Sequence, residues 1–409
     1  MSLMRVLLVT PNPPYPPQQG AALRNSGILH SIAKAGGQIT LLSFCGDSAS
    51  APADALAALC ERIVYVPTPP RSTAARLRDL LTSDQPDLAR RLTSTAFTAA
   101  LIEVVRDDDF DLIQFEGLEV ASYAPLIRPL APRARLVYDA HNAEYALQRN
   151  IAHIEGRSPR RLATALYSRI QAGRITDFER AICASVDGVI AVSDADAALL
   201  RALGTLTPVF TLPNGIFVED YRQPQSALEL HAESLVFTGK MDYRPNIDAM
   251  LWCAEAILPR VLTTHPDAHL YVVGQAVHRQ LLPLEQNSRH ISFTRWVESV
   301  TPFLHGARVF IAPLRMGSGT RLKILEAMAA GCAIVATTTA IAGLDDRVRG
   351  ALVVADEAAQ FADAIQRLLD DPDERARLGA AATAFVSAFY DWSVLAPQLQ
   401  KIYLAIGAL

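Results

Sequence analysis

At 409 residues the chain is too long for one ordinary core and suits two α/β domains. Hydrophobic residues make up 50% and aromatics only 7%, as expected of parallel sheets covered by Ala- and Leu-rich helices. A net charge of −4 excludes a global nucleic-acid footprint, and neither a signal peptide nor an apolar run of the ~18 residues needed to span a membrane is evident. Cys45, Cys60, Cys183, Cys253 and Cys332 are odd in number and scattered, and read as reduced core thiols of a cytosolic protein. Met1-Ser2-Leu3 reads as a cloning remnant, with Met4 the native start.

Met4–Thr10 is an apolar strand, and the Pro-rich loop after it cannot be helical. Gly20 opens a helical stretch that ends before Gly36-Gly37, and Gln38–Phe44 is the next strand. This is a βαβ opening with Gly20 at the helix start and Arg24 one turn in. Arg24 either faces a ligand or belongs to an ordinary βα turn. Ile63–Val66 reads as strand. Two basic helical runs follow, one with Arg71, Arg76, Arg78, Arg90 and Arg91, the other with Arg157, Arg160, Arg161 and Arg169. They either meet anionic headgroups or, the favoured reading, are solvated faces paired with Asp and Glu.

Asp107-Asp108-Asp109 precedes the strand Phe110–Phe115 and reads as a solvated turn, not a metal site. Asp194 and Asp196 likewise suit a solvated helix N-terminus. The strand Arg135–Asp139 leads directly into Ala140-His141-Asn142-Ala143-Glu144. Polar residues at the carboxyl end of a strand lie where open α/β sheets place ligands. His141 and Asn142 are therefore candidate ligand contacts, and Glu144 is either a third or a cap for the next helix. Strands at Asp187–Val192 and Thr207–Leu212 precede Pro213-Asn214-Gly215-Ile216, which reads as a hinge. The expected boundary puts 1–217 in one domain and 218–391 in the other, with 392–409 crossing back onto the first.

The second half restarts the strand count with Ser234–Gly239, Ala268–Val273, His290–Phe293, Val309–Pro313, Cys332–Ala336 and Ala351–Val354. Gly239-Lys240 and Gly274 close the first two of these. Only four of the 38 basic residues are lysines, and two of them, Lys240 and Lys323, sit at strand-to-helix turns. A compact ammonium is a point-charge phosphate ligand, where a guanidinium demands a planar fork.

Gly317-Ser318-Gly319-Thr320 opens a helical pattern from Arg321 to Ala330, with Gly331 placed where a helix end needs positive φ. A Gly-rich turn at a helix start offers unpaired N–H groups to an anion. Arg321 and Lys323 in the first turn oppose the helix dipole, by about 0.3–1 kcal/mol each, unless a multiply charged anion such as a diphosphate binds there. Leu322, Leu325, Met328 and Ala329 gather on the core side, and Glu326 lies about 9 Å along the axis from Thr320 at 1.5 Å per residue. That reach suits a carboxylate on the two ribose hydroxyls of a nucleotide. The alternative is a tight turn with an ordinary Lys323–Glu326 surface pair.

Gly317 to Gly331, GSGTRLKILEAMAAG, resembles the C-terminal signature of the family 4 (group 1) glycosyltransferases, retaining enzymes of the GT-B fold. In that family two Rossmann-like doubly wound parallel-sheet domains face each other across a cleft. Glu326 matches the second Glu of the signature, the ribose ligand. The first Glu falls on Ser318, which leaves the donor sugar open. By the same resemblance His141 approaches the donor sugar from the N-domain side, and the Gly20 loop lets backbone approach phosphate or acceptor. Gly239-Lys240 stands in the place of Gly-Arg, and Asn246 in that of a Lys which pairs with that Arg on the leaving diphosphate. Arg321 and Lys323 are expected to supply the missing charge. The loop Thr294-Arg295-Trp296-Val297 lies against the base in the family, which usually has Gly where Arg295 stands.

The resemblance implies a retaining transferase of sugar from a UDP- or GDP-sugar to a glycan, lipid-linked or small-molecule acceptor, in bacterial cell-surface polysaccharide biosynthesis. His141, Lys240 and Lys323 would be catalytic. Gly239, Gly274, Gly317, Ser318, Gly319, Thr320, Arg321 and Glu326 would bind nucleotide and diphosphate. Gly20, Arg24, Asn142 and Glu144 would line the sugar and acceptor side. No metal and no resident cofactor are expected, and the location is cytoplasmic or peripheral at the inner membrane face. The alternatives are a nucleotide-sugar epimerase or hydrolase using Glu116 or Glu144 as base, and an inactive nucleotide-sugar binding protein.

Overall fold

The computed structural model describes residues 4–17, 20–46, 54–156, 162–222, 228–317 and 322–408. They form two compact units, 1–214 with 395–409, and 215–394. The break falls three residues before the expected 217, inside the Pro-Asn-Gly turn.

The first unit has seven strands: β1 Arg5–Thr10, β2 Gln38–Cys45, β3 Arg62–Pro67, β4 Leu112–Glu116, β5 Arg135–Ala140, β6 Gly188–Ala191 and β7 Val209–Thr211. All pair in parallel, in the order β3-β2-β1-β4-β5-β6-β7. The order reverses between β1 and β4, the switch point at which such sheets place ligands. β1, β2 and β4 are buried almost throughout, which is why they read as unbroken apolar runs. The end of the chain belongs to this sheet. Ile406, from the helix Trp392–Ile406, fills the space over Gly188, where a Cβ would come within 2.5 Å of it.

The second unit has six parallel strands: β8 Ser234–Thr238, β9 His269–Val273, β10 Ile291–Arg295, β11 Val309–Ala312, β12 Ile334–Ala336 and β13 Val353–Val354. Their order is β10-β9-β8-β11-β12-β13, with its switch point between β8 and β11. Each of the thirteen strands falls on a run read as strand from sequence, with ends displaced by up to two residues.

The helix after β11 spans Leu322–Ala329. Leu325, Met328 and Ala329 are buried as the periodicity requires, but so are Ile324 and Ala327. The second buried face comes from the helix Pro372–Phe389, whose Gly379 packs so closely that a Cβ there would stand 2.2 Å from the Gly331 carbonyl. Gly331 has φ +73°, the left-handed conformation expected at this helix end.

Candidate active site

In the first unit the carboxyl ends of β4 and β5 carry a buried polar network. Glu116 ends β4, Asp139 lies next to the end of β5, and His141 follows in the turn. His141 Nε2 lies 3.2 Å from Glu116 Oε2 and 3.8 Å from Asp139 Oδ2. Arg24 forks Asp139 with two bonds of 2.6 Å and donates to the Leu212 carbonyl at 3.0 Å and to Asn214 Oδ1 at 3.2 Å. Asn25, with its amide nitrogen turned toward acceptors, donates to Glu116 Oε2 at 2.9 Å. Gln114 donates to Glu116 Oε1 at 2.7 Å.

This placement corrects the reading of Arg24 as a ligand-facing residue. Its side chain is 1% exposed and its fork is spent on Asp139, because a carboxylate that deep requires a paired cation. Glu116, Asp139 and His141 bring one donor atom each within 4.8 Å of one another. Of the three, Asp139 holds the Arg24 guanidinium.

Burial, with the Asp139 charge, pushes the Glu116 carboxyl up. Asp139 also suffers burial, but Arg24 overrides it and holds its carboxyl below the usual range. Burial opposes the charged form of His141, and the bond to Glu116 and the Asp139 charge outweigh it, so the imidazole is raised. The group is built to hold a protonated or proton-sharing imidazole at a strand end.

The turn carrying His141 is clamped from behind. Asp196 Oδ1 accepts from Ala143 N at 3.1 Å, while its partner oxygen is bonded by Ser193 Oγ. Glu179, on the helix Leu162–Ser185, accepts from the backbone N–H of Glu144 at 3.2 Å and of Tyr145 at 2.8 Å. These are the first donors of the helix Glu144–Gly156, which Glu179 caps from outside its own sequence. Asp196 is thus a buried support and not the solvated residue expected. Asp194 accepts from Thr211 Oγ1 at 2.7 Å. Glu144 itself accepts from Asn142 Nδ2 at 3.2 Å, and burial together with the Glu119 charge pushes it up to about 7. Gly20 is the exposed first residue of its helix, Gly20–Lys34.

The arginines of the first basic run are paired with acids as expected, although Arg71 and Asp79 are largely buried and not solvated. Arg71 binds Asp79 and Asp87, Arg76 binds Asp87, Arg90 binds Asp79, and Arg91 binds Glu119. Asp107 and Asp108 pair with Arg62 and Arg5. Arg157, Arg160 and Arg161 lie outside the described residues.

In the second unit the corresponding strand ends are glycines. Gly239 follows β8 at φ +149° and Gly274 follows β9 at φ +145°. A Cβ on Gly274 would meet the Gly239 carbonyl at 1.9 Å, so two backbones touch where side chains would otherwise stand. A Cβ on Gly239 would come within 2.8 Å of Lys323 Nζ. That ammonium donates to Asn246 Oδ1 at 2.8 Å and lies 4.0 Å from the centre of the Phe237 ring. Asn246 donates in turn to the Lys240 carbonyl at 2.8 Å. Asn246 is therefore the residue that positions Lys323. The Lys240 ammonium is exposed and paired with Asp242 at 3.3 Å. Ser318, Gly319, Thr320 and Arg321 lie outside the described residues, and Gly317 has φ +115°.

Glu326 is half-buried and accepts from Tyr221 Oη at 3.1 Å. Burial raises it, against the Tyr221 bond and the Lys323 charge. Tyr221 was not singled out from sequence, since it lies 105 residues away and only the fold brings it to Glu326. Arg295 has φ +62°, at an irregularity in the β10 pairing, and is tied to Glu285 at 2.9 Å. Glycine, which the resemblance leads one to expect at this place, would adopt that left-handed conformation without the cost a Cβ brings to Arg295. Trp296 beside it is 60% exposed.

Residues 232–371 match the family described as Glycosyl transferases group 1, and residues 48–220 match Glycosyltransferase Family 4. A phosphatidyl-myo-inositol mannosyltransferase of Mycolicibacterium smegmatis is 30% identical over 228 residues, 54% of this chain and 58% of that one. Its Mycobacterium tuberculosis counterpart is 32% identical over 235 residues, 54% of this chain and 60% of that one. The match thus spans less than two thirds of the length of these relatives. Among solved structures, the Anabaena protein HepE in complex with UDP and glucose superposes with TM-score 0.67 at 15% identity, over 98% of this chain and 100% of that one. Sucrose-phosphate synthase from Thermosynechococcus elongatus gives 0.72 at 19% identity, over 99% of both chains. At such identities the likeness speaks for the fold alone. Matched in each half by sequence and along its length by fold, the chain belongs to the group 1, family 4 glycosyltransferases of the GT-B fold.

Proposed function

We propose that the protein transfers a hexose from a nucleoside-diphosphate sugar to an acceptor hydroxyl with retention of anomeric configuration. The observation that carries this reading is Lys323. Its ammonium is held by a neutral amide and an aromatic face beside two glycine strand ends, at a sheet switch point. A cation presented over open backbone suits a diphosphate. Glu326, at half-burial, has the ribose within its reach, and Tyr221 fixes its carboxylate.

In the reaction the bond from the sugar C1 to the β-phosphate oxygen breaks, and negative charge develops on the departing diphosphate, where Lys323 stabilises it. The acceptor oxygen bonds C1 on the same face, and its proton passes to a phosphate oxygen. His141 hydrogen-bonds a sugar hydroxyl. Neither Glu116 nor Asp139 is asked to act as nucleophile or base: both are buried and engaged, which also disfavours an epimerase using Glu116. No resident cofactor or metal enters the scheme. The relatives' names make mannose the first donor sugar to test and a phosphatidylinositol headgroup the first acceptor. Such an acceptor implies work at the inner face of a membrane. No described helix is long and apolar enough to cross one.

The test is a thermal-shift panel of UDP, GDP and their sugars, then turnover with the stabilising donor on phosphatidylinositol vesicles and free oligosaccharides. A ligand that binds only the native state raises its melting point. Lys323→Met is expected to weaken diphosphate binding about tenfold, or about 1.4 kcal/mol, with little change in the unliganded melting point. Glu326→Ala should weaken the nucleoside as well as the nucleoside diphosphate. Proton NMR of the product reads the anomeric outcome, and turnover should survive EDTA. If no nucleotide shifts the melting point, the reading fails.

A further inference from the structure

The polar network behind His141 does not end at Glu116. Gln114 stands two residues earlier on β4, its side chain on the same face of the sheet. Its Nε2 donates to Glu116, and its Oε1 accepts from Tyr403 Oη at 2.6 Å. Tyr403 lies on the last helix of the chain, 289 residues further on. Both side chains are fully buried, so neither has water as an alternative partner. Burial, with the charges of Glu116 and Asp139, pushes the phenol far up and keeps its proton in place.

We propose that Tyr403 is a positioning residue for His141, acting through Gln114 and Glu116. A carboxamide has one acceptor and one donor end. The phenol hydroxyl takes the acceptor end, which obliges the amide nitrogen to face Glu116. Glu116, receiving that N–H on Oε1 and a second from Asn25 on Oε2, has its charged form favoured against the burial that raises it, and presents Oε2 to Nε2–H of His141. Nδ1 is left as the ring nitrogen turned toward Gly117, where a Cβ would stand 3.8 Å from it. The last helix thereby fixes which imidazole nitrogen carries the proton and how readily the ring charges. The other ionisable groups acting on His141 are Asp139, Arg24 and Glu144. Tyr403→Phe leaves them in place and frees the Gln114 amide to turn its oxygen toward Glu116.

This inference rests on the reading of His141 as the sugar-facing group, but its test is independent of turnover. In full-length protein with 15N-labelled histidine, the His141 signals are assigned by comparison with His141→Gln and followed against pH. Tyr403→Phe is expected to lower the His141 titration midpoint by about half to one pH unit, the size of one lost hydrogen bond, and to displace its ring nitrogen shifts. His265 and His305, in the other unit, should not move. Gln114→Met should give the same displacement, and the double variant no more than either single one, as members of one chain require. Should one variant fail to fold, the other decides. Unmoved His141 signals, or displacements that add in the double variant, overturn the proposal. A displaced midpoint with an unchanged pH profile of kcat keeps the relay and removes His141 from the chemistry, so the two failures are distinct.

Discussion

At the ends of β4 and β5 the first unit puts Arg24, Asn25, Glu116, Asp139 and His141 into one closed set, each charge answered by a neighbour from the same fold. At the ends of β8 and β9 the second unit puts two glycines in backbone contact and brings an ammonium over them on a neutral amide. The same sheet architecture serves both. A network that is internally neutralised fixes a side chain and its proton, at the cost of desolvating several ions. Glycine backbone with an ammonium beside it lets an anionic ligand come close and meet positive charge there. The first arrangement is suited to orientation, the second to binding an anion.

Three substitutions separate these modes. The largest effect is expected in the closed network: Arg24→Met strands Asp139 as an unpaired buried carboxylate, and urea unfolding should report a loss of about 3–5 kcal/mol. A loss below about 1 kcal/mol would mean that the network tolerates an open charge, and the contrast between the units would fail. Next is Gly274→Ala. Its Cβ would sit 1.9 Å from the Gly239 carbonyl in a left-handed conformation, so a loss of about 2–4 kcal/mol is expected, with weaker nucleotide binding in whatever protein folds.

The smallest effect is in Glu144. Its carboxyl is raised from 4.5 to about 7 in the fold, so its contribution is fully present below pH 4.5 and is lost as pH rises through 7. Glu144→Gln does not titrate. Relative to the wild type it should gain about 1 kcal/mol between pH 5 and pH 8, a value reduced for the partial exposure of the group. Melting curves of both proteins at the two pH values measure it. A constant difference would place Glu144 in water rather than in the clamped turn.

Local chemistry made much of this visible in advance. Thirteen apolar runs became the thirteen parallel strands of the described residues, and central ones such as β1, β8 and β11 are apolar along most of their length because both faces are covered. His141 stood out because it follows a strand directly, and Gly331 because a helix end needs positive φ. What proximity in the chain could not reveal were the partners. Arg24 meets Asp139 across 115 residues, Tyr221 meets Glu326 across 105, and Tyr403 reaches Gln114 across 289. The double burial of the Leu322–Ala329 helix depends likewise on a helix that begins at Pro372.

The elements, the carboxyl-end position of the candidate residues and the glycines at the β8 and β9 ends follow from the order of residues alone, since periodicity and backbone freedom are properties of chain neighbours. That Arg24 is a buried counter-ion, that Asn246 holds Lys323 and that the last helix completes the network behind His141 is visible only in the folded chain. Desolvation and hydrogen-bond pairing depend on what surrounds a group in space, and the order of residues along the chain does not specify that.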